Sequence, residues 1–241
     1  MELIPIKTRR LEPPQDDLLA VLDEALPTLE ERDVVLVTSK VVAIHEGRCV
    51  EKSMADKELL TRQEAEAFME SDVTGKTLPL TIKHRALLYR GGVDEGNSGA
   101  YCTLLPEDPM RSAVKLRDHL LQKFSLQELG VIITDSVVLP LRAGVSSISI
   151  GHAGIVMHVP HASDQTDLFN EPVAPTSTNT VDSLAAASAL LCGEADQSTP
   201  VVIARGVPTV QFTDQPDDVA MNVDPKRDLY HPLLKLFYKQ I

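Results

Sequence analysis

One stretch of the chain, Gly92-Val93-Asp94-Glu95-Gly96-Asn97-Ser98-Gly99, combines residue types that could handle a metal and a phosphate. Its three glycines let the backbone turn tightly and approach a ligand closely. Between them stand the carboxylates Asp94 and Glu95 and the amide of Asn97. Hard oxygen donors on such a loop suit magnesium or manganese with bound phosphates. A second acid supports the pairing. The apolar run Leu129-Gly130-Val131-Ile132-Ile133-Thr134 breaks off at Asp135, as expected of a buried strand whose carboxyl end delivers an aspartate into a crevice. The same residues serve equally well in plainer roles. Asp94 and Asn97 suit an aspartate or asparagine turn, and Asp135 suits a helix cap. Glu194, just after Gly193, reads on its own as an ordinary exposed acid.

Elements of both kinds must position these groups. Residues 33–44 are rich in β-branched side chains and predict a buried strand with a turn or helix start near Ser39. Before them, residues 16–29 space Leu18, Leu19, Leu22 and Leu26 at helical intervals. A polar surface helix is expected over 59–69, and extended segments over 78–83 and 100–105. The Pro106-Glu107-Asp108-Pro109 turn leads into a helix over 112–124, with Val114, Leu116, Leu120 and Leu121 facing inward. Residues 146–151 alternate like a half-exposed strand, and 158–180 read as a long loop or excursion. A helix over 181–192 carries Asp182 in its first turn and Gly193 as its cap. Another buried strand covers 200–204, and a helix closes the chain over 227–240. Strands and helices mix without clean repetition, so the fold class is α+β.

Composition narrows the function. With 241 residues and 43% hydrophobic content the chain can bury a real core. Lys and Arg number 23 against 35 Asp and Glu, a formal charge of −12. That balance argues against nucleic acid or an anionic membrane as partner. Cys49, Cys102 and Cys192 have no paired spacing and fit a reducing cytoplasm, Cys102 as core packing. No signal peptide or membrane span is evident, which predicts a cytoplasmic protein. Gly75-Lys76-Thr77 hints at a P-loop, but Glu70 occupies the place of the required glycine. His158-Val159-Pro160-His161 holds two histidines with no ligand partner at useful spacing, which suggests a surface loop.

Taken in order, several segments resemble the coenzyme F420-0:γ-glutamyl ligase family. They are Val37-Thr38-Ser39-Lys40-Val41-Val42, Gly92-Val93-Asp94 with Asn97, Leu104-Leu105-Pro106-Glu107-Asp108-Pro109, residues 130–135, Pro140 with Arg142, residues 182–194, and Arg205-Gly206. The resemblance implies a two-domain α+β architecture and an intertwined homodimer. It treats residues 1–241 as one ligase unit and leaves open a smaller subdomain from 140–180. It implies that Asp94 and Asp135 are catalytic and hold magnesium or manganese, with Ser136 beside them. Glu194 would contact a second metal. Ile6, Lys7, Thr8, Arg9, Ser39, Lys40, Asn97 and Gly193 would line the site of GTP (or ATP). The implied reaction activates an acceptor carboxylate as an acyl phosphate, which the amine of L-glutamate attacks.

This chain departs from the family pattern at Ile44, where a second lysine is usual, and at Val138-Leu139, Val145-Ser146-Ser147 and Asn170-Glu171-Pro172. Arginines suited to a phosphorylated deazaflavin are thereby lost. A branch described as a folate-metabolism γ-glutamate ligase looks closer, through Ile44-His45, Thr81-Ile82-Lys83-His84, Thr134-Asp135-Ser136 and residues 228–234. The expected acceptor is therefore a folate, with the deazaflavin coenzyme precursor as the first alternative and a non-catalytic nucleotide- or metal-binding homologue as the second. Glu95 receives no role.

Overall fold

The computed structural model describes residues 1–70, 72–73, 76–77, 79–160, 166–172, 176–217, 221 and 223–237. Gly75 and His161, and with them the P-loop and paired-histidine readings, lie outside these residues.

Five strands form one mixed sheet in the order Glu2–Ile6, Val201–Arg205, Val34–Thr38, Gly130–Val137, Ser146–Ala153. Only Val34–Thr38 and Gly130–Val137 run parallel; the other neighbours are antiparallel. The three central strands have no polar face because both sides of the sheet are covered. Side chains alternate between two cores. Val35, Val37, Val131, Ile133, Val201 and Ile203 join one core cluster, while Val34, Leu36, Ile132, Val202 and Ala204 join the other. The helices Leu18–Ala25, Ser39–His45 and Pro109–Phe124 pack into the first core. The Thr180–Cys192 helix contributes Val181 and Leu184 to the second. The α+β reading holds.

Asp17 caps the first helix by accepting from the amides of Leu19 and Ala20. Asp108 does the same for Pro109–Phe124 by accepting from Arg111. That helix differs from expectation on its inner face. Val114 is exposed at 47%, and Ala113 takes the buried position with Leu116 and Leu120, because these three follow the three-then-four spacing of one helix face and Val114 lies off it. The helix also starts three residues early, at Pro109, which has no amide to lose in the first turn.

Other expectations change in the middle of the chain. Residues 59–69 are not one helix: Lys57–Glu64 is helical, and Ala67–Met69 is a strand that buries Phe68. It joins Leu80–Lys83 and Ala86–Tyr89 in a separate three-stranded sheet. Cys49–Glu51 pairs with Tyr101–Thr103, and Cys102 is fully buried in a small cluster with Val93 and Leu104. Ser146–Ala153 belongs to the main sheet and is buried over most of its length. The 158–180 stretch is not all loop, since His158–Pro160 pairs with Ser177–Asn179. Near the end, helix appears only over His231–Leu234 among the described residues. No described helix is long and apolar enough to cross a membrane.

Gly151 fixes the approach of the Pro109–Phe124 helix to the sheet. A Cβ there would lie 2.5 Å from both the carbonyl carbon and oxygen of Pro109. Backbone cannot yield as a flexible side chain can, so Gly151→Ala should destabilise the protein by about 1–3 kcal/mol. Thermal unfolding followed by circular dichroism measures this, and an unchanged midpoint would show that the contact is not limiting.

Candidate active site

The site begins where the parallel pair parts. Its last rung joins Thr38 to Thr134. Val34–Thr38 then turns directly into the Ser39–His45 helix, while Gly130–Val137 continues three residues further. The strand therefore does not end at Asp135, as expected, but carries it past its neighbour. The pairing with Ser146–Ala153 shifts register between Ile133 and Thr134, and such an irregularity re-aims side chains. Asp135 emerges into the crevice beyond the carboxyl ends of the parallel strands, the usual ligand position in such sheets. The Ser39 hydroxyl donates to Asp135 Oδ1 at 2.6 Å, and Ser147 Oγ donates to the Asp135 carbonyl at 2.9 Å.

The 92–99 loop forms a second wall. Asp94 is anchored through its backbone, exchanging hydrogen bonds of 2.9 and 2.8 Å with Thr103. Its carboxylate pairs with the Lys40 ammonium and accepts from the Gly96 amide at 2.7 Å. Lys40 also donates to the Gly96 carbonyl at 2.6 Å. Two tight turns shape this loop. Gly92 has φ +77°, and a Cβ there would meet Leu105 at 2.3 Å. Asn97 has φ 51°, a left-handed conformation that asparagine tolerates.

The third wall follows the Thr180–Cys192 helix. Gly193, with φ 69°, ends it and turns the chain towards the cleft. Glu194 Oε1 accepts from the Ser136 hydroxyl at 3.0 Å. Asn97 Nδ2 donates across the opening to the Ala195 carbonyl at 2.7 Å. One cleft of about 590 Å³ results, lined by Thr8, Arg9, Ser39, Lys40, Asp94, Asn97, Asp135, Ser136, Gly193 and Glu194 among others.

The two aspartates titrate in opposite directions. Burial works against the Asp94 carboxylate, but the Lys40 ammonium and the Gly96 and Glu95 amides outweigh it and hold its pKa below the ordinary value. Burial dominates at Asp135 and pushes its pKa up to about 6. Ser39, the Ser136 amide and Lys40 oppose the rise, while the charge of Asp94 adds to it.

Of the residues expected at the site, Ile6 and Lys7 do not line the cleft. Ile6 ends the first strand and is buried in the core, and Lys7 is exposed. Conversely, Thr38, Thr134, Ser147, Ser188, Cys192 and Thr199 line the cleft without having been singled out for it. Small hydroxyls at strand and helix ends carry no sequence signal that separates them from turn formers. Burial likewise raises the Cys192 thiol to about 11, so it is an inert wall. Of the departures from the family pattern, Ile44 and Ser147 face the cleft. Val138 and Leu139 are exposed beyond the strand end, and Asn170, Glu171 and Pro172 form an exposed turn.

The donor set fits a hard divalent cation. Two carboxylates, a hydroxyl and Glu194 share one cleft, although no three acids, histidines or cysteines among the described residues stand close enough to hold a metal alone. Magnesium ordinarily takes one or two carboxylates and completes its shell with water and substrate phosphates. An incomplete protein cage is compatible with such an ion.

The raised Asp135 pKa makes a stability prediction for the metal-free protein. Between its ordinary 3.8 and about 6, the folded chain keeps a proton that the unfolded chain has lost. Stability should therefore fall as pH rises through that window. Asp135→Asn removes the effect and should stabilise the protein at pH 7 by roughly 1–3 kcal/mol. Denaturant titration at pH 4 and pH 7 in chelator tests this; a variant no more stable than wild type at pH 7 contradicts it.

The model of the F420-0:γ-glutamyl ligase family matches residues 5–206. The chain is 31% identical to the coenzyme F420:L-glutamate ligase of Methanopyrus kandleri, with 95% of this chain and 97% of that protein covered. It is 30% identical to a protein of the same name from Methanococcus maripaludis, covering 88% and 90% respectively. With the one from Methanocaldococcus jannaschii the identity is 28%, over 74% and 77%.

Proposed function

The chain belongs to the F420-0:γ-glutamyl ligase family, and on that premise we propose that its cleft joins L-glutamate through an amide bond to an acceptor carboxylate, with cleavage of GTP or ATP. The observation that carries the reading is the convergence of Asp94, Asp135, Ser136 and Glu194 with Ser39, Lys40 and Asn97 in one cleft. These groups come from four separate parts of the chain.

The proposed chemistry balances without a protein nucleophile. An acceptor carboxylate oxygen displaces the nucleoside diphosphate from the terminal phosphorus and forms an acyl phosphate. The glutamate amine then attacks the acyl carbon, phosphate leaves, and the amine proton passes to solvent. Magnesium or manganese at Asp94, Asp135 and Ser136, with a second ion at Glu194, would neutralise charge on the phosphates. This chain's residues supply the placement. Ser39 orients the Asp135 carboxylate. Lys40, already in the cleft against Asp94, would supply a cation to the phosphates. Asn97 and the 193–195 segment bound the opening, which favours reaction away from bulk water.

The names of the relatives support a coenzyme F420-type acceptor, a phosphorylated deazaflavin, over the folate expected from sequence details. One observation keeps folate as a second reading. Among the described residues, every cation lining the cleft is already paired: Arg9 with Asp16, Arg10 with Glu12 and Lys40 with Asp94. A buried phosphate on the acceptor would have to draw one of them away. The implied homodimer belongs to the same proposal.

Incubation with L-glutamate, manganese, GTP or ATP, and each acceptor in turn tests the reading. Mass spectrometry should find the deazaflavin heavier by one glutamate residue, with stoichiometric release of phosphate. Chelation should abolish the reaction, and Asp135→Asn should slow it at least about 100-fold, since loss of even an outer-shell partner costs about 10–100-fold. A folate product alone would select the second reading. Full activity in Asp135→Asn would sink the metal assignment.

A further inference from the structure

We infer that Lys52 is a positioning residue that holds the 92–99 loop in the shape that presents Asp94 and Asn97, acting from the side of the loop away from the cleft. The part of this inference that concerns ligands rests on the metal–nucleotide reading of the cleft.

Lys52 follows the Cys49–Glu51 strand, and its backbone amide donates to the Ala100 carbonyl at 2.9 Å. Its ammonium donates to the Gly99 carbonyl at 2.7 Å and to the Glu95 carbonyl at 3.1 Å. Lys57, the first residue of the Lys57–Glu64 helix, pairs with Glu95 Oε2 at 2.8 Å. Neither lysine lines the cleft. Lys40 grips the same loop from within the cleft, at the Gly96 carbonyl and the Asp94 carboxylate. Three carbonyls, at positions 95, 96 and 99, are thus satisfied by ammonium groups from opposite sides.

The loop needs such support because it has little regular structure of its own. Asn97 and Gly99 both adopt positive φ, at 51° and 58°. A left-handed residue between other turns leaves carbonyls that a ladder would otherwise pair.

The two grips differ in what happens on ligand binding. A cation arriving at Asp94, or a phosphate arriving at Lys40, competes with the Lys40 contacts. The Lys52 ammonium faces no such competition, since Lys52 does not line the cleft. Lys57–Glu95 is a largely exposed pair and contributes little by itself. Lys52 is half-buried, and its charge-assisted bond to the Glu95 carbonyl is part-buried while that to Gly99 is exposed, so the pair of bonds carries the greater share. Glu95, which has no role in the sequence, becomes the loop's outward anchor.

Lys52→Met keeps the stem and removes the ammonium, and Lys52→Arg restores donors. In the ligand-free protein, Lys52→Met should speed amide hydrogen exchange over residues 95–100 while leaving residues 130–137 unchanged. Manganese–GTP affinity, measured by calorimetry, should fall about tenfold in Lys52→Met, the loss expected for one charged hydrogen bond. Lys52→Arg should recover most of it. Unchanged exchange in the loop, or an equal affinity loss in the arginine variant, overturns the inference. So does a lowered unfolding temperature with no local change in exchange, because Lys52 would then be merely structural. If wild type itself binds no manganese–GTP while Lys52→Met still loosens the loop, positioning by Lys52 stands and the metal–nucleotide reading fails.

Discussion

A carboxylate that folding must place at the mouth of a parallel strand pair sets the terms for the rest of the site. Asp135 sits one residue past the last rung between Val34–Thr38 and Gly130–Val137. That residue stays half-buried at the cleft wall, because the continuing strand is held by Ser146–Ala153. Burial therefore acts on the charge, and the chain answers only partly, with the Ser39 hydroxyl and the Ser136 amide. An ionised carboxylate supported by so few donors is costly without a cation. A cation beside it would offset that cost.

The surrounding charges follow from that constraint. Lys40 issues from the first turn of the helix that replaces the shorter parallel strand, so it enters the crevice beside Asp135 rather than over the sheet. There it meets Asp94 instead of Asp135, and the two aspartates separate in acidity. Arg9 and Arg10 on the rim are likewise held by Asp16 and Glu12. The described cations that line the cleft of this chain of net charge −12 are thus paired. Entry of an anionic ligand would require exchange of ion-pair partners.

Much of the framework was legible because local rules and tertiary demands agreed. The β-branched run before Ser39, the apolar run before Asp135 and the alanine-rich stretch closed by Gly193 all formed the expected elements. Failures came where two rules competed. Pro109 moved a helix start, and the spacing of Leu116 and Leu120 put Ala113 rather than Val114 on the buried face. Phe68, expected on a polar helix, is fully buried in a short strand, because a small sheet over the middle of the chain needed a core. Isolated strands of three residues carry too little pattern to be read without their partners. Their partners here lie more than ten residues away.

By itself the sequence determined which chemistry was available. Hard oxygen donors on a glycine-rich loop and at a strand end, with a lysine after another strand, are matters of residue type and order, and they led to the family. Only the tertiary structure decided which of those groups meet. It brought Asp94, Asp135, Ser136 and Glu194 into one cleft, sent Ile6 into the core, and gave Glu95 to Lys57. The reason is physical. Residue type sets what a group can bind, whereas burial, register and the point where two strands part set its charge and its neighbours, and those are properties of contacts distant in the chain.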